Sequence, residues 1–185
     1  MTALPTAAPV ERLDTIRSLH TLGPHGTNLE AASYEWFRRR GIEGEVVLHR
    51  TLESAVPTLP ANGEHAVVAC AVYPALHTLV FSNLTRLRMV DSFVMPTHNM
   101  VLATRDADRP RLVASHPAPS GLVPADAEVV LSTSNSQAAI ECAERRTDGC
   151  VTTIVAAQER GLRVLRDFGP VPMIFTIHKA VEAGR

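Results

Sequence analysis

Apolar residues along this chain come in short bursts whose period keeps changing. Over residues 27–40, Leu29, Ala32, Trp36 and Phe37 recur near a helical repeat, which predicts an amphipathic helix. Residues 66–72 form an unbroken, valine-rich run instead, the pattern of a strand covered on both faces. Further strands are predicted at 20–22, 45–48, 87–94, 100–104, 112–114, 129–131, 150–154 and 174–178. Helices are predicted at 51–59, where Pro57 bends or ends the element, at 137–146, and at 155–160, closed by Gly161. Residues 73–88 favour a helix only slightly. Strands alternating with helices place the chain in the α/β class. Several helices open from turns rich in Gly, Ser and Thr, which in such folds gather at strand ends where ligands bind.

Composition narrows this picture. The 185 residues suffice for one domain or two small lobes, and with 45% hydrophobic but only 4% aromatic residues the core must be mainly aliphatic. Net charge is −1, and the one basic cluster, Arg38-Arg39-Arg40, stands at a helix end before Gly41, where cations suit the dipole. A nucleic-acid partner is therefore not expected. Cys70, Cys142 and Cys150 are odd in number and lack ligand spacing, so neither a disulfide framework nor a metal site is expected. No cofactor motif is read. Residues 1–17 read as a loosely held leader without secretory character, and no apolar run reaches membrane-spanning length. A cytoplasmic protein is expected, with a homodimer left open.

The most informative stretch is Gly23-Pro24-His25-Gly26-Thr27-Asn28-Leu29-Glu30. Two glycines free the backbone for close approach to a ligand. Thr27 is placed to cap the helix, with Glu30 completing a capping box. The first free N–H groups then make a small anion site.

This order, Gly-Pro-x-Gly-Thr followed by Glu and small residues, resembles the opening motif of the prephenate dehydratase family and its offshoot, the bacilysin-pathway prephenate decarboxylases. Three later segments resemble the family in the same order. They are Val113-Ala114-Ser115-His116-Pro117 with its Pro-Ala-Pro continuation, Ser134-Asn135-Ser136 before Ala138 and Ala139, and residues 152–162 with Ala156, Ala157 and Gly161. The resemblance spans roughly residues 20–178. It implies a two-lobed α/β fold like a type 2 periplasmic binding protein, the prephenate dehydratase fold, with a prephenate-like small carboxylic acid in the cleft. Lobe one is expected over about 18–104 plus a C-terminal strand at about 165–180, and lobe two over about 105–164.

Two departures direct the chemistry. Dehydratases carry Thr-Arg-Phe near the end of this domain, and here the positions read Met173-Ile174-Phe175, with Pro172-Met173 resembling the decarboxylase branch. Dehydratases also carry Pro-Ile-Glu-Asn where this chain reads Ala69-Cys70-Ala71-Val72, and the decarboxylases place Pro-His there. The resemblance thus implies non-aromatising decarboxylation of prephenate to a dihydro-4-hydroxyphenylpyruvate in an antibiotic-type pathway. The alternatives are dehydration to phenylpyruvate, and action on or mere binding of another small acid. His116, Thr27 and Cys70 are the expected catalytic residues, with His116, His25, Cys70 or water as the proton source. Gly26, His25, Ser115, Ser134, Asn135, Ser136, Thr152 and Met173 are expected to bind substrate. The pyruvyl carboxylate would meet helix N–H groups and hydroxyls, and the ring carboxylate would lie against Met173, Ile174 and Val72. Arg86 or Arg88 is a further candidate for a carboxylate.

Overall fold

A computed structural model describes residues 12–182. In chain order the first part holds β1 (Ser18–Leu22), α1 (Asn28–Arg40), β2 (Glu45–His49), α2 (Leu52–Ala55) continuing into a 3-10 turn, β3 (His65–Cys70), α3 (Leu76–Phe81) and β4 (Leu87–Pro96). Then follow β5 (Met100–Thr104), β6 (Leu112–Ser115), β7 (Glu128–Leu131), α4 (Asn135–Ala143), β8 (Gly149–Thr153), α5 (Ile154–Glu159), β9 (Arg163–Gly169) and β10 (Pro172–Ala180).

The strands divide into two five-stranded sheets, ordered β2-β1-β3-β10-β4 and β7-β6-β8-β5-β9. In each, three strands run parallel, β2-β1-β3 and β7-β6-β8, and the other two pair antiparallel. The chain passes between sheets twice, at 97–99 and 170–171. These crossings bond to each other: Thr97 N–H donates to the Val171 carbonyl at 2.9 Å, and Val171 N–H to Thr97 Oγ1 at 3.0 Å.

The two-lobed expectation holds, but the boundaries differ. β5 belongs to the second sheet, and the single C-terminal strand expected at 165–180 is two strands, one per lobe. β9 escapes a reading by apolar runs because its residues, RVLRDFG, mix charged and apolar positions along a largely exposed edge. Residues 1–11 of the expected leader lie outside the described residues. Residues 12–17 are held: Ile16 is fully buried, and Lys179 Nζ donates to the Arg12 carbonyl at 2.8 Å.

Trp36, Phe175, Leu19, Val67 and Val68 anchor the larger core in lobe one. Trp36 on α1 donates through Nε1 to Asp91 on β4 at 2.7 Å, fixing the helix across the sheet. α1 ends where Gly41 takes a left-handed φ of +61°, and its N–H turns back to Arg38. The three arginines there pair with Glu35 and Asp91, as a capped helix end requires. Elsewhere the helix favoured at 73–88 shrinks to six residues, closed by Asn83 Nδ2 on the Leu79 carbonyl. No helix among the described residues is long and apolar enough to cross a membrane.

Candidate active site

β1, β3 and β6 end at one cavity of about 340 Å³ between the lobes, and the turn after β7 brings the start of α4 to the same place. Leu22, Cys70 and His116 mark the three strand ends, and Ser134 marks the start of α4. Parallel strands flanked by opposed crossovers leave a crevice at such a point.

Polar groups reach the cavity from both lobes. Thr27 caps α1, accepting from Glu30 N–H at 3.1 Å and donating to the Leu22 carbonyl at 3.0 Å. The first-turn amides of Asn28 and Leu29 are thereby left without intrahelical acceptors. Asn28 Oδ1 accepts from His98 N–H at 2.9 Å, tying this helix start to the lobe crossing. From lobe two, Ser134 caps α4, accepting from Gln137 N–H at 3.0 Å. The Asn135 side chain donates through Nδ2 to Met100 Sδ at 3.9 Å, and its Oδ1 is buried without a partner. Two helix N-termini, one per lobe, thus meet at one place and favour an anionic ligand.

The apolar part of the lining includes Leu22, Val72, Leu122, Met173 and Phe175. Phe175 stacks on Phe93, which fixes this side of β10. Burial pushes the Cys70 thiol above its usual range, which keeps it protonated at neutral pH. Burial also raises Tyr73, with Glu53 adding to the effect, to about 12, and its hydroxyl donates to Glu53 Oε2 at 2.7 Å. The lining contains no arginine, lysine, aspartate or glutamate.

Of the residues expected from sequence, Thr27, Cys70, Val72, His116, Ser134, Asn135 and Met173 line this cavity. The others do not. His25 and Gly26 face a shallower groove with Glu30, Tyr34, His98 and Glu159, where His25 Nδ1 meets Glu30 Oε1 at 2.7 Å. Glu30 also accepts from Gly26 N–H at 2.8 Å, so its carboxylate serves the turn and not the expected reciprocal cap. Ser115 is fully buried and donates to the His116 carbonyl. Thr152, equally buried, donates to the Asn135 carbonyl at 2.6 Å and so holds the start of α4. Ser136 turns its unpartnered Oγ towards Gly26, 3.6 Å from where a Cβ there would stand.

Met173 and Phe175 alternate with Ile174 along β10, so Ile174 points out of the cavity and is 49% exposed. The expected wall of Met173, Ile174 and Val72 is corrected to Met173, Phe175 and Val72. Arg86 donates to the Val56 and Leu59 carbonyls, and neither it nor Arg88 reaches the cavity. The reading from sequence missed Asn28, Thr97, Met100 and Tyr73. Asn28 follows the predicted cap and was within reach. Thr97 and Met100 carry no local signal, because their place depends on where the chain changes lobe.

Two mixed sheets, two crossings and a ligand-sized cavity at the strand ends define a two-lobed α/β protein of the periplasmic-binding type, in the form shared by prephenate dehydratase domains. The prephenate dehydratase of Arthrobacter aurescens, solved with L-Phe, superposes with a TM-score of 0.66 at 18% identity, covering 91% of this chain and 61% of that one. This chain thus spans about three-fifths of that protein's length. The periplasmic VFT2 domain of Bordetella pertussis BvgS superposes at 0.56 and 17% identity, over 90% of this chain and 81% of its own. In sequence, the chain is similar along its length to the prephenate decarboxylase of Bacillus subtilis, 27% identical over 191 residues, which is 95% of this chain and 92% of that protein. No family model matches. The motif resemblance therefore extends over nearly the whole chain.

Among the described residues no group of His, Cys, Asp and Glu is placed to hold a metal ion. The arrangement offers helix amides, hydroxyls, one imidazole and one apolar wall.

Proposed function

We propose that this protein decarboxylates prephenate while leaving its ring hydroxyl in place, giving a dihydro-4-hydroxyphenylpyruvate. The observation that carries the reading is Met173 in the cavity wall, at the position where the dehydratase motif has its hydroxyl-bearing threonine. Dehydration needs a proton delivered to the departing hydroxyl, and a thioether delivers none. The pyruvyl carboxylate goes to the amides of α1 and α4, beside Thr27, Ser134 and Asn135. The ring then extends to Met173, Phe175 and Val72, where a carboxylate is poorly solvated and loss of carbon dioxide relieves that burial.

In the reaction, the bond from the ring to its carboxylate breaks and carbon dioxide leaves. The electron pair moves through the adjacent ring double bond to a ring carbon, which takes a proton. The ring stays a diene and the alcohol stays attached. Similarity over 95% of the chain to a protein named prephenate decarboxylase supports loss of carbon dioxide, and a diene alcohol of this kind suits a secondary-metabolite route. Incubation with prephenate, followed by mass and ultraviolet absorbance, tests the reading. The expected product has lost carbon dioxide alone and lacks an aromatic spectrum. Phenylpyruvate as the enzymatic product overturns it in favour of dehydration. A second reading, another small carboxylic acid, is favoured by Val72 on the cavity rim where dehydratases carry asparagine. A thermal shift with a different acid and none with prephenate would select it.

A further inference from the structure

His116 ends β6 in the turn Ser115-His116-Pro117-Ala118. Pro117 has no N–H, so the first amide within reach of the His116 ring is that of Ala118, which donates to Nδ1 at 3.3 Å. A backbone amide can only donate. Nδ1 must then present its lone pair, and the neutral ring carries its proton on Nε2. The ring lines the cavity, and Nε2 is not among the buried unpartnered atoms, so it is accessible from outside the protein.

A second proton would have to enter at Nδ1, opposing the Ala118 amide and breaking that bond. The surroundings do not favour a cation either. Burial already lowers His116 from its ordinary value. The other titratable groups in the lining are the Cys70 thiol and the Tyr73 hydroxyl, both raised and neutral. The Glu53 carboxylate beside the cavity wall accepts from the Tyr73 hydroxyl.

We propose that His116 acts as a fixed neutral hydrogen-bond donor, presenting Nε2–H to an oxygen in the cavity, and not as an imidazolium that gives up a proton. Its catalytic part rests on the decarboxylation reading; its tautomer does not. A neutral imidazole is too weak an acid to expel a hydroxyl, so dehydration gains nothing from it. A fixed N–H does stabilise negative charge that develops on oxygen. Here that oxygen belongs to the water that protonates the ring carbon: the water's O–H bond breaks, its proton goes to carbon, and the hydroxide formed accepts from Nε2–H. His116 finishes each cycle in the tautomer in which it began.

Nitrogen NMR of the wild-type protein, assigned by difference from His116→Gln, tests the tautomer. The expected result is an Nε2–H ring whose midpoint lies below the ordinary 6.5. An Nδ1–H tautomer, or a midpoint at or above that value, overturns the proposal. In kinetics, His116→Gln keeps a donor near the Nε2 position and should stay within about tenfold of wild type, while His116→Phe should fall about a hundredfold. Equal losses in the two variants overturn the donor role. A wild-type protein that turns over no prephenate overturns the functional reading alone, and the NMR result still decides the tautomer.

Discussion

At the scale of single residues, position on a strand decides which side chains matter. Met173 and Ile174 are neighbours in sequence and equally apolar, yet the period-two alternation of β10 puts only the first in the cavity. The substitution at Met173 was legible in the sequence; the outward aim of Ile174 required knowing the register with β3 and β4. A different group of side chains went unread altogether. His20, His49 and His65, on three adjacent strands, form a chain of rings: His20 Nδ1 lies 2.9 Å from His49 Nε2, and His20 Nε2 lies 3.1 Å from His65 Nδ1. They stand far apart in sequence, and only parallel pairing of β2, β1 and β3 assembles them. Burial, then the neighbouring His49 and His65, lower His20 from 6.5 to about 4. The unfolded chain therefore takes up this proton first as pH falls. The stability due to a neutral His20 is complete above about pH 6.5 and is lost on descending to about 4. Melting temperature should drop across that window by on the order of 5 °C from this source. His20→Gln should show a smaller drop, and scanning calorimetry against pH checks it. An unchanged acid slope in the variant would remove His20 as the cause.

At the scale of elements, the sequence was most readable where local chemistry dictates structure. Thr27, Thr51, Ser134 and Thr153 each accept from a backbone amide three residues on, so capping residues mark four helix starts directly. Strand ends were less legible, because a residue that finishes one element often caps the next. Thr153 does this: residue 154, read as strand, is the first residue of α5. Two of these caps separate a structural role from a functional one. Thr27 caps a helix aimed at the cavity, whereas Thr51 caps one that contributes nothing to its lining. Alanine at either position should cost about 1 kcal/mol of stability. Only Thr27→Ala should also raise KM for prephenate, by about tenfold. Denaturant unfolding with steady-state kinetics on both variants checks this, and an equal KM effect in the two would count against α1 as a carboxylate site.

At the scale of the whole molecule, the cavity exists because the chain changes lobe twice and the crossings bond to each other at Thr97 and Val171. Further bonds between lobes gather beside the site: Thr153 Oγ1 donates to the Gly26 carbonyl at 3.2 Å. Gly26 itself has a φ of +80°, and Glu159, Ser136 and Ala156 of lobe two lie at ordinary contact distance from where its Cβ would stand. The motif glycine thus serves the left-handed turn into α1, where the sequence had suggested contact with substrate. Ser115 and Thr152 likewise hold up residues that line the cavity without reaching it themselves. Motif matching found the neighbourhood of the site but could not separate lining from support, since that distinction is made by the second lobe.

The proposed decarboxylation stands or falls on whether the ring oxygen survives catalysis. Prephenate carrying heavy oxygen in its ring hydroxyl should yield a product that keeps the full label while carbon dioxide is released in equal amount. Label appearing in water in step with carbon dioxide would contradict it.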